Sequence, residues 1–512
     1  MTIPIIDLFA GPGGLCEGFS AFKSSTGVKQ FSVKLSIEKD VSAHQTLLLR
    51  SIFRSFPSGK VPQTYYRYIR GEIKRDAFLD APDIKPAYKQ AMKIAKCAEL
   101  GKTSEIEVDG WISSALGERK DWVLIGGPPC QAYSLVGRSR MRGADPTRFE
   151  SDERHFLYRE YLRILKKFSP AVFVMENVKG ILSSKHSGEP IFEKITADLA
   201  QPGGAHKYIL RSFVVPGEIT DPRDYVIACE RYGLPQARHR VIIFGIREDM
   251  FRASPLLQER PEKCILQPQR PTTVRDVLGG LPAIRSKLSG RSGTLVESKE
   301  NWDLNMTQAL EMTQFPSSAE VKKVFQAVSK AVRASKVIDS TGAQFLPTVP
   351  PLTVQPLDCW LCDEKVGGVI SHESRSHMAS DLHRYLFAAS MSTVTTRRLR
   401  LDDFPRALMP AHANASSVDA PFGDRFRVQA WSKASTTVVS HISKDGHYYI
   451  HPDPAQCRSL TVREAARLQT FPDNYYFEGN KTAQYHQVGN AVPPYLAFKL
   501  CEIVSRVITN VG

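Results

Sequence analysis

The feature that most constrains the fold of this chain is a series of short, uninterrupted apolar segments, each bordered by glycine or polar residues. Such segments are too short for ordinary helices and show no alternation of apolar and polar residues, which is typical of strands buried on both faces of a parallel sheet. Helical stretches separate them, so the pattern predicts an α/β fold with the chemistry at the carboxyl ends of the strands. The predicted strands are residues 3–9, 32–38, 122–125, 171–175 and 241–246.

The composition narrows the class of protein. A chain of 512 residues exceeds one ordinary domain, and its formal net charge of +15 favours a polyanionic partner such as nucleic acid. The first residues lack the cationic region of a signal peptide, and the apolar runs are too short to span a bilayer. Nine cysteines without framework spacing indicate reduced thiols. We therefore expect a cytoplasmic protein without a membrane association.

The first strand leads into a glycine-rich turn, Asp7 to Leu15, with the sequence DLFAGPGGL. A strand, a glycine turn and a helix start bring bare backbone close to a nucleotide-like ligand. Glu38 ends the next strand, and its carboxylate suits the two hydroxyls of a ribose. A tight turn in any α/β protein is the alternative interpretation.

Two further strand ends carry reactive side chains. Cys130 follows two stiffening prolines in GGPPCQ and is well presented as a nucleophile. Glu176 follows the fourth strand in the sequence MENV and is a candidate acid beside such a thiol. The alternatives are a buried cysteine that only packs and a glutamate that forms an ordinary salt bridge.

The segment QARHR precedes the fifth apolar run. Alternate residues of an extended segment share a face, so Gln236, Arg238 and Arg240 are expected to point together. Two arginines beside a thiol favour its thiolate and can hold a carbonyl oxygen or a phosphate. A solvated basic strand end is the alternative.

In this order, the motifs resemble those of the DNA cytosine-C5 methyltransferase family. The resemblance covers residues 1–250 and 457–512 and does not depend on the segments between them. The matching pieces are DLFAGPGGL (Asp7–Leu15), GGPPCQAYS (Gly126–Ser134), ENV (Glu176–Val178), QARHR (Gln236–Arg240), RSLTVREAARLQTFPD (Arg458–Asp473) and QVGNAVPP (Gln487–Pro494).

The resemblance implies a Rossmann-like, S-adenosylmethionine-dependent methyltransferase fold and double-stranded DNA as the substrate. It implies that Cys130 adds to cytosine C6, that Glu176 binds and protonates N3, and that Arg240 holds the O2 edge. Arg238 and Gln236 would stabilise the catalytic loop. The target base must leave the duplex for this chemistry. The implied cofactor-binding residues are Asp7, Phe9, Gly11, Gly13, Gly14, Leu15, Glu38, Pro128, Asn490 and Val492.

The family pattern also predicts how the chain is divided. Residues 1–254 would form the catalytic domain, with a helical insertion at about 48–105. Residues 255–456, which show no sustained sheet period, would form a smaller, irregular target-recognition domain. Residues 457–512 would complete the catalytic domain with a helix at 461–469 and a final helix from 494 to about 508.

Two clusters of arginine and one group of potential metal ligands remain to be interpreted. Arg138, Arg140 and Arg142 alternate with small residues after Cys130 and are expected to close a loop over DNA, unless that loop is only an exposed connector. The triplet Arg397, Arg398 and Arg400 favours a phosphate contact over a solvated surface. A C-x-x-C pattern followed by two histidines has a spacing too short for a usual zinc finger, so we expect no metal at Cys359, Cys362, His372 and His377.

Some alternatives stay open at this stage. The family's acidic residue after the third strand, which contacts the cofactor adenine, is either Glu72 or Asp109. The alternative functions are a transfer RNA cytosine-C5 methyltransferase and a catalytically silent DNA-binding paralogue. The family implies a partner restriction or phage-defence system, and we expect a monomer that associates with the nucleoid.

Overall fold

The computed structural model describes residues 2–24, 26–129, 154–186, 189–289, 297–312, 319–333, 339–348, 357–395, 397–410 and 423–509. The chain divides into unit 1, which comprises Met1–Tyr65, Arg75–Arg270 and Ala491–Gly512, and unit 2, which comprises Tyr66–Lys74 and Pro271–Asn490. Among the helices of these described ranges, none has the length and apolar character needed to cross a bilayer.

The strands and helices are numbered in chain order. The strands are β1 (Ile3–Leu8), β2 (Phe31–Glu38), β3 (Ala95–Cys97), β4 (Val123–Gly126), β5 (Val172–Val178), β6 (Lys185–His186), β7 (Glu189–Pro190), β8 (Tyr208–Arg211), β9 (Val226–Ala228), β10 (Gln236–Ala237), β11 (His239–Arg247), β12 (Lys287–Leu288), β13 (Gly342–Leu346), β14 (Val369–Glu373), β15 (Ser376–His377) and β16 (Ser435–Thr436). The helices are α1 (Gly14–Ala21), α2 (Val41–Ser55), α3 (Gln63–Ile69), α4 (Arg75–Asp80), α5 (Lys85–Ile94), α6 (Glu105–Leu116), α7 (Arg154–Phe168), α8 (Ile191–Ala200), α9 (Glu248–Arg252), α10 (Pro255–Glu259), α11 (Val274–Leu278), α12 (Lys299–Met312), α13 (Ala319–Arg333), α14 (Leu357–Leu361), α15 (Ala379–Val394), α16 (Val462–Leu468), α17 (Lys481–Asn490) and α18 (Pro494–Thr509).

Unit 1 is built on an eight-stranded sheet with the order β3-β2-β1-β4-β5-β11-β8, in which β9 also pairs with β11. The strands from β3 to β5 run parallel to their neighbours. All six residues of β1 and all four of β4 are buried, as expected for strands covered on both faces. The predicted α/β fold with a central parallel sheet is confirmed.

The last apolar run does not continue the parallel pattern. β11 lies antiparallel to β5, with Arg240 opposite Val178 and Ile246 opposite Val172. The parallel interpretation of this strand was therefore wrong. Because β11 runs the opposite way, its first residues lie at the edge where β5 ends.

The helical insertion is narrower than predicted. Helices α3, α4 and α5 lie inside the span 48–105, but residues 95–97 form β3, which pairs in parallel with β2 at the edge of the sheet. Residues 48–55 complete α2, and Asp40 caps the start of that helix by accepting from Ala43 N at 2.8 Å. A three-residue strand without an apolar run leaves no periodic pattern from which to predict it.

Helix α1 packs directly against the C-terminal segment of unit 1. A Cβ atom placed on Gly14 would lie 2.1 Å from the carbonyl oxygen of Val492, and one on Gly18 would lie 2.4 Å from Phe498 N and from Pro494 O. The two glycines are four residues apart and share one helix face. Only the absence of side chains on these glycines lets α18 and the segment before it approach α1 so closely.

Unit 2 is more regular than its sequence suggested, because α12, α13 and α15 have 14, 15 and 16 residues. Helix α15 is central to its apolar core, where Tyr385 and Phe387 pack with Phe404, Phe426 and Ile450. Two short sheets accompany the helices: β13 pairs antiparallel with β14, and β12 pairs parallel with β15.

Three buried arginines bind the interior of unit 2 together. Arg458 forms two contacts of 2.7 Å with Glu464, while Arg463 and Arg467 donate to the carbonyl oxygens of Ile370 and Val277. Burial opposes the ionisation of Glu464, but the charge of Arg458 outweighs it and holds the pKa of that carboxyl far below its ordinary range.

These contacts explain where the C-terminal boundary falls. We expected residues from 457 onward to join the catalytic domain, but the structure assigns 457–490 to unit 2 and only 491–512 to unit 1. The two predicted helices are present as α16, which Thr461 caps, and α18. Arg463 and Arg467, both in α16, donate to backbone carbonyls of unit 2, and these hydrogen bonds hold α16 in that unit.

We predict that Gly18→Ala lowers the free energy of unfolding by about 1–3 kcal/mol, because the added methyl group must displace backbone atoms of α18. Urea unfolding followed by circular dichroism measures the change. Gly110→Ala is the matched control, since a Cβ there meets no atom within 4 Å; this exposed position in α6 should gain about 0.5–1 kcal/mol. Equal midpoints for Gly18→Ala and wild type would contradict the packing described.

We also predict that Arg458→Met costs about 3–5 kcal/mol, because it leaves the buried carboxylate of Glu464 without its counter-charge. The control is Arg397→Met, which removes an arginine that is 60% exposed in its pair with Asp403. Such surface pairs contribute about 0–1 kcal/mol. Chemical unfolding of both variants tests this, and a loss for Arg458→Met no larger than the loss for the control would refute it.

Candidate active site

The turn that follows β1 has an unusual backbone. Phe9, Gly11 and Gly13 have φ angles of 55°, 56° and 96°. A positive φ is costly for phenylalanine, and such strain is found mainly where function requires it. A Cβ on Gly11 would meet no atom within 4 Å, so open space borders the backbone of the turn. A ligand can therefore approach the backbone, as the glycine motif predicted.

Glu38, at the end of β2, ties that strand to the glycine turn. Its Oε2 accepts from Gly11 N and its Oε1 accepts from Asp40 N, each at 2.8 Å. Burial raises the pKa of Glu38, and the two N–H donors partly offset that rise. Each carboxylate oxygen keeps a further lone pair for a ligand hydroxyl.

Asp7 is placed differently from the other predicted cofactor residues. Its side chain is 0% exposed, and neither oxygen accepts a hydrogen bond from a described residue. The neighbouring Cys16 thiol donates instead to Gly13 O at 3.3 Å. Burial raises the pKa of Asp7 to about 8, so the carboxyl is largely neutral at pH 7. The geometry supports a role beneath the turn rather than a direct contact with a ligand.

The ends of β4 and β5 lie side by side, since Gly126 pairs with Met175 in parallel register. A Cβ on Gly127 would lie 2.8 Å from Glu176 Oε2, so the glycine leaves room for that carboxylate. Asn177 Nδ2 donates to the carbonyl of Pro128 at 3.4 Å. Glu176 and the residues that lead toward position 130 therefore meet at one edge of the sheet. Neither Gly127 nor Asn177 had a role predicted from the sequence.

The antiparallel direction of β11 brings Arg240 to the same edge. Its Nε lies 2.8 Å from Glu176 Oε1 in an ion pair, although the N–H direction is not that of a hydrogen bond. Its Nη1 donates to His239 O at 2.9 Å. The two side chains are only 15% and 11% exposed, for Glu176 and Arg240 respectively, so little water screens the pair.

The segment before β11 shows the expected alternation. Gln236, Arg238 and Arg240 are buried, whereas Ala237 and His239 between them are partly exposed. The Arg238 side chain is buried, with Arg238 only 1% exposed, and its backbone N–H donates to Gln236 O at 2.9 Å. The predicted common face of these three polar residues is present.

A residue that sequence reasoning missed follows the third strand. β3 ends at Cys97, and the next residue, Ala98, donates its N–H to Glu38 O at 3.0 Å. Glu99 comes next; its side chain is 34% exposed and lies 3.3 Å from Lys39 Nζ. Glu99 is thus the first acidic residue after the third strand, beside the end of β2. The sequence signal for Glu99 was an acidic residue followed by the apolar Leu100. Both residues had been assigned to the predicted helical insertion at about 48–105.

Neither acid proposed from sequence occupies that position. Glu72 lies in unit 2 and pairs with Arg70 at 2.5 Å. Asp109 lies in α6 and pairs with Arg163 at 2.7 Å. Neither residue follows a strand of the sheet, so neither of these two alternatives lies where Glu99 lies.

Four predicted site residues lie outside the described residues: the nucleophile Cys130 and the loop arginines Arg138, Arg140 and Arg142. Two other predictions concern the last residues before α18. Asn490 ends α17 in unit 2, with its Nδ2 3.1 Å from His486 Nδ1. Val492 belongs to unit 1.

The cysteine and histidine residues of the C-x-x-C pattern do not converge on one point. Cys359 and Cys362 are exposed, whereas His372 and His377 are buried, each within 3.0 Å of a hydroxyl oxygen of unit 2. Within the described ranges, no three His, Cys, Asp or Glu side chains are grouped as metal ligands.

Comparison with known proteins gives the family. The family model for C-5 cytosine-specific DNA methylases matches residues 88–506. The chain is 31% identical over 521 residues to the Type II methyltransferase M.Bpa9945I of Bacillus paralicheniformis, with 99% of each chain covered. It is 27% identical to the Type II methyltransferase M.DdeI of Desulfomicrobium norvegicum, covering 99% of this chain and 90% of that one.

A solved structure shares the fold. It is a prophage-encoded E. coli protein assigned to the DNA modification methyltransferases, with a TM-score of 0.52 and 17% identity, and the match covers 99% of this chain and 100% of that one. The fold is that of S-adenosylmethionine-dependent methyltransferases. With the family model spanning most of its length, the chain belongs to the C-5 cytosine-specific DNA methylase family.

Proposed function

We propose that this chain transfers a methyl group from S-adenosylmethionine to C5 of a flipped cytosine in a specific double-stranded DNA sequence, through a covalent adduct between Cys130 and C6. The observation that carries the proposal is the ion pair between Glu176 and Arg240. The Glu176 carboxylate also lies against Gly127, which precedes Cys130 by three residues in the sequence. The net charge of +15 is consistent with a DNA partner.

The residues around the glycine turn fit the cofactor. Open space borders Gly11, and Glu38 keeps acceptors for a ribose diol. Bound there, S-adenosylmethionine supplies an electrophilic methyl group. We assign its adenine contact to Glu99, which follows β3 where the family has its acidic residue. The other proposed cofactor-binding residues are Phe9, Gly11, Gly13, Gly14, Leu15, Glu38, Pro128, Asn490 and Val492.

Cys130 and Glu176 act on different atoms of the cytosine ring. C5 of an aromatic cytosine is a poor nucleophile, and addition of the Cys130 thiolate to C6 breaks the aromaticity and makes C5 electron-rich. Glu176 donates a proton to N3 and thereby accepts the negative charge of that addition; a positioned acid contributes about 10²–10⁴-fold. After C5 has gained the methyl group, its hydrogen leaves as a proton to water; the thiolate then departs from C6 as N3 returns its proton to Glu176.

Arg240 can serve the acid and the base at once. Its Nε faces Glu176 and its Nη1 donates to His239 O, which leaves Nη2 for the O2 atom of cytosine. A guanidinium group has five N–H donors in a fixed plane, so these contacts are compatible. Buried Arg238 and Gln236 would hold the neighbouring catalytic loop.

The proposal extends to the biological setting. The names of the two Type II relatives support a role in restriction-modification, and a phage-defence role is the related case. We propose that unit 2 reads the target sequence, with phosphate contacts from Arg138, Arg140 and Arg142 and from Arg397 and its neighbours. We further propose that the protein is a monomer that works in the cytoplasm on nucleoid DNA.

We predict that Cys130→Ala abolishes methylation while cofactor affinity stays within about twofold, because the thiol acts on the base. Transfer of labelled methyl groups to DNA measures turnover, and calorimetry measures cofactor binding. Wild type should also form a covalent adduct with target DNA that carries 5-fluorocytosine, since fluorine cannot leave as a cation. Residual turnover above about 1% would contradict the covalent mechanism, as would a missing adduct on a verified target site.

Bisulfite sequencing of DNA from cells that express the protein identifies the target site. Methylation of transfer RNA alone would favour the alternative function, a transfer RNA methyltransferase.

We predict that Glu99→Gln weakens S-adenosylmethionine binding about fivefold to tenfold, as expected for the loss of one charged acceptor from a hydrogen bond. Glu72→Gln is the matched control, because it removes the same charge from an acid paired with Arg70. Calorimetric titration with the cofactor compares them. If Glu72→Gln weakened binding and Glu99→Gln did not, the assignment of the adenine contact would be reversed.

A further inference from the structure

Unit 2 contains a polar cavity of about 250 Å³ that none of the roles above uses. It lies between β14 and the start of α17. The lining residues that bear on its chemistry are Gln344, Ser371, Glu373, Asn480, Lys481 and Gln484.

The start of α17 presents hydrogen-bond donors to this cavity. Asn480 Oδ1 accepts from Ala483 N at 2.9 Å. The backbone N–H of Lys481, a residue that lines the cavity, has no acceptor among the described residues. Such a group, together with the dipole of this ten-residue helix, favours a negatively charged ligand.

Ser371 is a second and independent indication of a ligand. It lines the cavity and is only 6% exposed, and its hydroxyl has no hydrogen-bond partner among the described residues. A buried unpaired hydroxyl is costly. Its φ of 55° adds backbone strain, which residues other than glycine rarely tolerate without a functional reason.

Glu373 and Lys481 are the charged residues of the cavity lining, and Glu373 pairs with two lysines. Lys481 Nζ lies 2.7 Å from Glu373 Oε2, and Lys287 pairs with the other oxygen of the same carboxylate. Burial raises the pKa of Glu373, but the two lysines outweigh it, and the net effect is a lowered pKa. Because Lys287, outside the lining, also pairs with Glu373, that carboxylate only partly neutralises the Lys481 ammonium beside the helix start.

We propose that this cavity binds one phosphate group of the DNA backbone. A phosphodiester offers only acceptors, which match the Ser371 hydroxyl, the Lys481 ammonium and the backbone N–H of Lys481. The inference rests on the proposed function, because it takes DNA as the substrate. Free phosphate has the same acceptor chemistry, so the experiment must separate the two sources.

The first test is the salt dependence of DNA affinity for Lys481→Gln. One lost phosphate contact should flatten the slope of log affinity against log salt by about 0.9. The matched control is Lys287→Gln, which removes the same charge from the same carboxylate but does not line the cavity. It should keep the wild-type slope. Equal flattening by both variants would overturn the inference, because it would report general charge loss.

The second test is Ser371→Ala, which removes a neutral donor. It should weaken DNA binding about tenfold without changing the salt slope, since a hydrogen bond to a charged group is lost but no counterion contact is. The loss should be equal on target and unrelated duplexes, because phosphates carry no base information. A purely structural Ser371 predicts unchanged affinity, and that result would count against the site.

The outcomes separate this inference from the proposed function. If wild type methylates DNA and Lys481→Gln keeps the wild-type slope, the inference fails while the function stands. If inorganic phosphate raises the melting temperature of wild type but not of Lys481→Gln, and the DNA slopes are equal, the cavity is a free-phosphate site and the DNA assignment is overturned. If wild type methylates no DNA, the proposed function itself fails.

Discussion

The antiparallel pairing of β11 with β5 is the constraint on which the candidate active site depends. β5 ends with Glu176 near the carboxyl edge of the sheet, and a parallel neighbour would begin at the opposite edge. Because β11 runs the other way, Arg240 near its start pairs with Val178 at the end of β5. Its Nε then lies 2.8 Å from Glu176 Oε1. Gly127 then leaves the volume that the carboxylate occupies. Strand direction, rather than any local motif, makes an acid and a cation neighbours.

Close backbone approach is the second determinant of unit 1. Gly14 and Gly18 admit Val492 and the first turns of α18, and Gly126 faces Leu8 O, which would lie 2.5 Å from an added Cβ. The glycine motif is therefore more than a turn that accepts positive φ angles. It also holds the end of the chain against the first helix, which brings residues more than 470 positions apart into contact.

Unit 2 depends on a different kind of contact. Arg458, Arg463 and Arg467 are buried and satisfy carboxylates and backbone carbonyls from distant parts of the unit. Buried charges are tolerated only when they are paired and hydrogen bonded in this way. The segment that the family resemblance attached to the catalytic domain thus holds the interior of unit 2 together. Close to it, the strained Ser371 and the start of α17 have hydrogen-bond donors without an acceptor among the described residues.

The amino-acid sequence alone determined the parallel strands from β1 to β5 other than β3, the glycine turn, the alternation of Gln236, Arg238 and Arg240, and the family. Those features depend on local periodicity and on motifs of neighbouring residues, which are visible within short stretches of the sequence. Only the tertiary structure decided that β11 is antiparallel, that β3 exists and is followed by Glu99, and that residues 457–490 belong to unit 2. The reason is physical: strand direction, a three-residue edge strand and a buried arginine are each defined by partners far away in the chain, and no local pattern specifies them.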